Sequence, residues 1–219
     1  TVPVGGTFTV TVNGVTYTTG DGNLTLTGTS WSLQIPSDKA LTDGTYEVVA
    51  TVKDLAGNSS TDTTTNELTI NTTAPAVPTV IAQTTNDTTP LIKGTATVPV
   101  GGTFTVTVNG VTYTAGDGNL TITGSSWSLQ IPSDKSLTDG TYEVVASVKD
   151  IAGNVSTDTT GNELIIDTVA PVVPTVVSLT TNDTTPVITG TATVGSGETL
   201  TVTVNGVSYI IGDGKLTLT

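Results

Sequence analysis

The chain has 219 residues, a net charge of −13, and no cysteine, histidine, methionine or arginine. This charge disfavours nucleic acids and membrane surfaces as partners, because both are anionic. The missing Cys and His side chains remove the usual ligands of zinc, copper, haem and iron–sulfur centres, and they exclude Ser-His-Asp and Cys-His catalysis. Disulfide bonds are also excluded, and no stretch approaches the ~20 apolar residues of a membrane span. We therefore predict no enzymatic activity and no membrane insertion.

A repeat of 96 residues organises the chain. Residues 1–10 return unchanged at 97–106, and only 17 of 96 positions differ between 1–96 and 97–192. A period of this length is close to the size of one small domain, so the sequence predicts tandem autonomous domains. No signal peptide opens the chain, and we expect both of its ends to be cut from a longer protein.

Proline-rich linkers separate the predicted domains. Residues 71–78 and 167–174 each carry two prolines spaced three residues apart, which restricts the backbone and favours a stiff, extended chain. The predicted boundaries give a first repeat that lacks its opening strands, a complete second repeat, and the N-terminal part of a third repeat, at residues 1–72, 73–168 and 169–219.

Alternation of apolar and polar residues with a period of two predicts β-strands throughout each repeat. Asn109-Gly110 predicts a type I′ hairpin turn, and the same dipeptide recurs in the other two repeats. With no helical periodicity and about seven short strands per repeat, the fold class is predicted as all-β, with tandem immunoglobulin-like sandwiches. The predicted strands of the second repeat include Pro90–Thr97, Leu120–Gly124, Trp127–Ile131, Thr141–Lys149 and Asn162–Asp167.

Each of the first two repeats carries one tryptophan, Trp31 or Trp127, at the same position. Aromatic rings dominate burial in small sandwiches. Both side chains are therefore predicted to lie in the core.

Three phrases recur in order along the chain. They are Lys-Asp-hydrophobic-Ala-Gly-Asn at 53–58 and 149–154, the Asp/Asn-Thr-x-Ala-Pro-x-x-Pro linker, and Thr-Asn-Asp-Thr-Thr-Pro at 85–90 and 181–186. Together they resemble the bacterial Ig-like repeats of large type I-secreted, biofilm-associated surface adhesins. The resemblance implies extended stalks, often stiffened by calcium at the domain junctions. The glycine-aspartate nonapeptides of calcium-binding β-rolls are missing.

The topology of such a sandwich predicts which side chains meet at the junctions. The loop before the last strand lies at the end where the chain enters, and the last strand leaves at the opposite end. Across the first junction, Asn71 is expected to approach Asp150 and Asn154, with Asp21 and Asp43 close behind. At the second, Asp167 is expected to meet Asn86 and Asp87 in the first turn, together with Asp117 or Asp139.

Carboxylate, amide and carbonyl oxygens suit Ca²⁺, so these residues are predicted to form calcium sites between the repeats. The first site carries one negative charge less, because Asn71 stands where the second has Asp167. The alternative is that Asp and Asn before Gly are ordinary turn formers. For Asp21, Asp43, Asp117 and Asp139 this alternative is the favoured one.

Near-identical neighbouring repeats favour a spacer, because a spacer needs copies and a binding site needs only one. We therefore expect an extracellular stalk segment at the bacterial cell surface that supports adhesion and biofilm formation. Its partners are neighbouring repeats of the same polypeptide. Residues 169–192 supply what the first repeat lacks, so head-to-tail self-association by strand complementation is also expected. The alternative function is an Ig-like binding module whose loops recognise a glycan or a host protein.

Overall fold

The computed structural model describes residues 2–218, and within them the chain is almost entirely β-structure. The first repeat contains β1 (Thr7–Val12), β2 (Val15–Thr18), β3 (Leu24–Thr27), β4 (Ser30–Leu33), a 3-10 turn (Ser37–Lys39), β5 (Gly44–Tyr46), β6 (Val48–Lys53), β7 (Ser59–Thr61) and β8 (Leu68–Ile70). The second contains β9 (Thr79–Val80), β10 (Gln83–Thr85), β11 (Leu91–Thr95), β12 (Thr103–Val108), β13 (Val111–Thr114), β14 (Leu120–Thr123), β15 (Ser126–Gln130), a 3-10 turn (Ser133–Lys135), β16 (Gly140–Tyr142), β17 (Val144–Lys149), β18 (Val155–Thr157) and β19 (Leu164–Ile166). The third contains β20 (Thr175–Val176), β21 (Gly190–Thr191), β22 (Thr201–Val204) and β23 (Val207–Ile210).

The second repeat is a β-sandwich. One sheet has the strand order β14-β15-β11-β9 and another β13-β12-β17-β18, and a three-stranded sheet β10-β19-β16 completes the repeat. All three sheets contribute to a single hydrophobic cluster, for example through Trp127, Phe104 and Leu164. The prediction of an all-β, immunoglobulin-like sandwich is confirmed.

The local rules that predicted the strands hold in β12 and its hairpin. Phe104, Val106 and Val108 are buried, and the threonines between them face outward. Asn109 and Gly110 have φ angles of 49° and 74°, the pair of positive values that a type I′ turn requires. The backbone twist of this turn matches the twist of the strands that it joins.

The predicted strand Thr141–Lys149 is wrong in one respect, because it is divided at Glu143. The part before Glu143 is β16, which pairs with β19, and the part after it is β17, which pairs with β12 and β18. The chain therefore passes from one sheet to another at this glutamate. Both segments keep their apolar pattern, so the sequence alone shows no break.

The core prediction holds for one tryptophan and fails for the other. Trp127 is 2% exposed, whereas Trp31 is 42% exposed. Each ring packs against a phenylalanine, with centroids 5.7 Å apart for Trp127 and Phe104 and 5.8 Å apart for Trp31 and Phe8. Trp127 is buried because β9 and β11 lie over its ring, whereas the first repeat has no strands that correspond to them.

A glycine allows this cover to lie directly on the indole. A Cβ atom at Gly94 would collide with the carbonyl oxygen of Thr79 and would lie 2.6 Å from the Trp127 ring. The indole Nε1 in turn donates a hydrogen bond to that Thr79 oxygen at 3.1 Å.

The third repeat has no buried core of its own, because no residue after Ile166 belongs to one within residues 2–218. Among the same residues, no helix has the length and apolar character of a membrane span.

Candidate functional site

The loop between β17 and β18 is a compact turn built around Asp150. Its Oδ1 accepts a hydrogen bond from the Asn154 backbone N–H at 2.8 Å, and its Oδ2 accepts one from the Asn154 side-chain amide, also at 2.8 Å. The Gly153 N–H donates to the Asp150 carbonyl oxygen at 3.2 Å. Asp54 and Asn58 form the same turn in the first repeat. The Asp-x-Ala-Gly-Asn phrase therefore encodes a preformed loop.

The end of the first repeat binds directly to this loop. Asn71 Nδ2 donates to Asp150 Oδ2 at 3.0 Å, and Asn154 Nδ2 donates to the Asn71 carbonyl oxygen at 2.9 Å. The linker is held further along by Ser156, whose hydroxyl donates to the Pro75 carbonyl oxygen at 2.6 Å. The contact expected from topology between Asn71, Asp150 and Asn154 is thus present, while its binding of calcium stays a prediction.

Asp150 is the most enclosed carboxylate of this junction, with 6% of its surface exposed. The hydrogen bond from the Asn154 side chain is the largest influence on its pKa, and backbone N–H groups of the loop act in the same direction. Together they hold the pKa of Asp150 below its ordinary value, against the opposing effect of burial. The carboxylate is therefore ionised at neutral pH and presents a negative charge to the incoming linker.

Two other predicted aspartates fasten the start of each linker. The carboxylate of Asp43 accepts hydrogen bonds from the Thr72 N–H at 2.9 Å and from the Thr72 and Thr73 hydroxyls. Asp139 binds the N–H and hydroxyl of Thr168 in the same manner. The Thr72 hydroxyl, followed by its N–H, lowers the pKa of Asp43. These aspartates fix the direction in which the chain leaves a repeat.

The exit end of the second repeat brings Asp167 beside the first turn. The Asp167 N–H donates to the Thr85 carbonyl oxygen at 3.0 Å, and Asn86 and Asp87 follow Thr85 directly. Asp87 caps its own turn through the Thr89 N–H at 2.8 Å. Exposed side chains of Asp167, Asn86 and Asp87 therefore share one end of the repeat, as expected.

Asp117 and Asp21 act as turn formers. The carboxylate of Asp117 accepts hydrogen bonds from the backbone N–H groups of Thr114, Asn119 and Leu120 at 2.8–3.0 Å. The bond from Leu120 is the main reason why the pKa of Asp117 is lowered. Asp21 has the equivalent bonds. Their carboxylate oxygens are thus engaged within their own turns, the alternative favoured for them from sequence.

Sequence reasoning missed a group of three acidic side chains, Glu47, Asp62 and Glu67. Their carboxylate oxygens lie within 4.8 Å of one another in the first repeat. The only sequence signal is that all three recur 96 residues later, as Glu143, Asp158 and Glu163.

An apolar groove in the first repeat has a simpler origin. It is lined by residues that include Leu33, Ile35, Leu41, Leu68 and Ile70. Several of these pack against the core of the first repeat. The groove is therefore the uncovered side of that core.

Comparison with known proteins agrees with this architecture. The profile of the family described as "Bacterial Ig-like domain" matches residues 5–72 and 80–168. The chain is therefore a tandem array of Ig-like sandwiches, and it belongs to the bacterial Ig-like domain family. The two matched segments end at the linkers, where Asp43 and Asp139 hold the departing chain.

A search of solved structures found two similar chains. One comes from a study of host cell surface retention of a 1.5-MDa bacterial ice-binding adhesin; it is 24% identical, with a TM-score of 0.42, and the match covers 96% of this chain and 73% of that chain. The other is the Bacteroides ovatus mixed-linkage glucan utilization protein SGBP-B in complex with a heptasaccharide. It is 16% identical, with a TM-score of 0.28, and the match covers 77% of this chain and 38% of that chain. No curated protein sequence matches the chain.

Proposed function

We propose that this chain is a stalk segment of a bacterial cell-surface adhesin. The observation that supports this function most directly is the first junction, where the end of one repeat is hydrogen-bonded through Asn71 to the Asp150 loop of the next. Ser156 adds a bond to the linker. A linker held at several points limits the angle between neighbours, which a spacer requires and an isolated binding module does not.

The proposal places the chain outside the cell, in a type I-secreted protein that supports adhesion and biofilm formation. Support comes from membership of the bacterial Ig-like family and from the three phrases that resemble biofilm-associated adhesins. The net charge of −13 favours the solubility of such repeats. The stalk carries no catalytic step, and its mechanism is mechanical.

Small-angle X-ray scattering on the whole chain tests the stalk. We expect an elongated particle whose largest dimension corresponds to repeats joined end to end. The distribution of interatomic distances should show one preferred separation between the first two repeats, because the junction bonds limit bending. A collapsed particle, or a broad distribution typical of freely moving domains, would contradict the proposal.

We also propose that Ca²⁺ strengthens those junctions in which the linker residue is aspartate. In the first junction, Asn71 Oδ1 accepts from the Thr73 N–H at 3.0 Å, which leaves Nδ2 to donate to Asp150. Asp167 accepts from the Val169 N–H through Oδ1 at the same distance. Its second carboxylate oxygen then stands in the place of the Asn71 amide nitrogen. Facing another Asp150-type carboxylate, it repels that group unless a cation lies between them.

The substitution Asn71→Asp tests this charge argument inside the chain. We expect the variant to bend freely in the presence of a chelator, since two carboxylates then face each other, and to recover the wild-type scattering curve when CaCl₂ is added. The unmodified chain should change less, because its amide already bridges the junction. Identical scattering of the variant with chelator and with CaCl₂ would remove calcium from this junction.

We further propose that copies of this chain associate head to tail. In the second repeat, β9 and β11 cover Trp127, and Gly94 makes this close approach possible. Residues 175–191 repeat that segment, with Gly190 in the place of Gly94, and many of their apolar side chains are exposed. The uncovered Trp31 face of another copy is a matching surface. The self-association changes the surroundings of Trp31 in a concentration-dependent manner.

A further inference from the structure

The apolar groove of the first repeat has a covered counterpart in the second. The side chains that line the uncovered groove are half-buried and include Leu33, Ile35, Leu41, Leu68 and Ile70. Their counterparts in the second repeat have the same residue types and are at most 4% exposed; they are Leu129, Ile131, Leu137, Leu164 and Ile166. The chain therefore contains the same groove twice, once covered and once open.

Residues 83–90 cover the groove of the second repeat. The first three of them form β10, which pairs in parallel with β19. The backbone hydrogen bonds that hold the segment measure 2.7–3.2 Å and include those from Gln83 N–H to Glu163, from Asp167 N–H to Thr85, from Leu137 N–H to Thr88 and from Ile131 N–H to Pro90. Among residues 2–218, the equivalent N–H groups of Ile35, Leu41 and Asn71 have no backbone acceptor. The rim of the open groove can therefore bond to an added strand.

The chain carries a second copy of the covering segment. Residues 180–186 repeat 84–90 without a change, and the residue before them is Leu179 in place of Gln83. This copy is largely exposed, and Leu179 has 55% of its surface accessible. The open groove and a segment that matches it thus lie in different repeats of the same chain.

The exposed copy already has the turn that the covering segment has in the second repeat. The Asp183 N–H donates to the Thr181 hydroxyl oxygen at 3.0 Å, and the Thr185 N–H donates to the Asp183 carboxylate at 2.8 Å. Residues 85–89 form the same two bonds, at 3.1 and 2.8 Å. A segment that is ordered before binding loses less conformational entropy when it binds.

We propose that the groove of the first repeat binds residues 179–186 of a second copy of this chain as an added parallel strand. Residues 179–181 then lie beside Leu68–Ile70, in the register that β10 has with β19. The backbone bonds provide affinity, and the apolar lining selects the side chains. This inference rests on the head-to-tail association proposed above, and it adds a contact separate from the cover of Trp31.

Cross-linking between two single-cysteine variants tests the register, because the wild-type chain has no cysteine. In the second repeat, Thr84 lies opposite Ile165, and both side chains are exposed. The equivalent pair across the proposed contact is Thr180 and Thr69. A mixture of Thr69→Cys and Thr180→Cys chains, treated with a short thiol-reactive cross-linker, should give mixed dimers well above the share expected from random pairing. Added NaCl should raise the yield, since it screens the repulsion between two chains of charge −13.

Thr201→Cys is the matched control for Thr180→Cys. Thr201 is an exposed threonine of the third repeat outside residues 179–186, so its variant should give no excess of mixed dimers. Adding Thr181→Pro to the Thr180→Cys chain should lower the yield about fivefold or more, because proline has no N–H for the strand ladder.

Equal yields from Thr180→Cys and Thr201→Cys, or no effect of Thr181→Pro, would overturn the parallel contact. Failure of this contact is distinguishable from failure of the proposals on which it rests. A mass that still rises with concentration would show that the chains associate through another surface. The stalk is tested separately, through scattering and the junction bonds of a single chain.

Discussion

Replacing Trp127 with alanine is expected to destabilise the second repeat by about 3–5 kcal/mol, the usual cost of removing a large buried aromatic side chain. The ring is 2% exposed, packs on Phe104, and donates a hydrogen bond to the Thr79 oxygen. Its removal leaves a cavity beneath β9 and β11 and an acceptor without its donor. Chemical denaturation followed by far-UV circular dichroism measures the change in the free energy of unfolding.

Trp31→Ala is the matched control. Trp31 keeps the same phenylalanine contact but is 42% exposed, so its loss should cost less than half as much in dilute solution. Comparable costs for the two substitutions would show that the cover of β9 and β11 contributes little.

The proposed head-to-tail association is tested by varying the protein concentration. A chain carrying Trp127→Phe has Trp31 as its sole tryptophan. If residues 175–191 of another copy cover the ring, its fluorescence should shift to the blue as the protein concentration rises, together with an increase in sedimentation mass. A spectrum and a mass that do not change with concentration would contradict the association.

Asp150→Ala is expected to release the second repeat from the first. The substitution removes the acceptor of the Asn71 and Asn154 amides and the charge that organises the loop. Distances between spin labels placed on the two repeats should change from a narrow to a broad distribution. Asp54→Ala breaks the same loop in the first repeat, away from this junction, and should leave that distribution narrow. Equal broadening in both variants would mean that the junction bonds do not set the angle.

The same junction should weaken in acid. The pKa of Asp150 is lowered from its ordinary value of 3.8 in the folded chain, so its contribution to stability is fully present above that value. The contribution is lost as the pH falls through the lower, folded-state pKa. Wild-type label distances should therefore broaden in this acidic range, and those of Asp150→Ala should not change further. A wild-type distribution that stays narrow there would exclude Asp150 as the group responsible.

A feature of the fold or of the junction could be predicted from the sequence when it depends on neighbouring residues or on the general order of strands in a sandwich. The Asn109-Gly110 turn depends on two adjacent residues, so the sequence specifies it. The meeting of Asn71 with Asp150 follows from the order of strands in a sandwich, which places the last strand of one repeat against a known loop of the next. Both predictions use local patterns or general topology.

The parts that escaped prediction depend on contacts between distant segments. The division at Glu143 is invisible because the apolar pattern continues through it while the strand partners change. Trp31 and Trp127 have the same sequence neighbours, and their difference in burial comes from strands that the first repeat lacks. The group of Glu47, Asp62 and Glu67 combines residues up to 20 positions apart, each of which looks like an ordinary solvent-exposed acid by itself.

The parallel pairing of β10 with β19 determines how a repeat meets a pulling force. Gln83–Thr85 lie beside Leu164–Ile166 and run in the same direction, while the linkers leave from opposite ends of the repeat. Once the short strand β9 has been pulled off, tension along the chain acts parallel to β10 and β19. These two strands then slide past each other lengthwise, so that the backbone hydrogen bonds between them break together and not one by one. The second repeat should consequently yield abruptly at a high force.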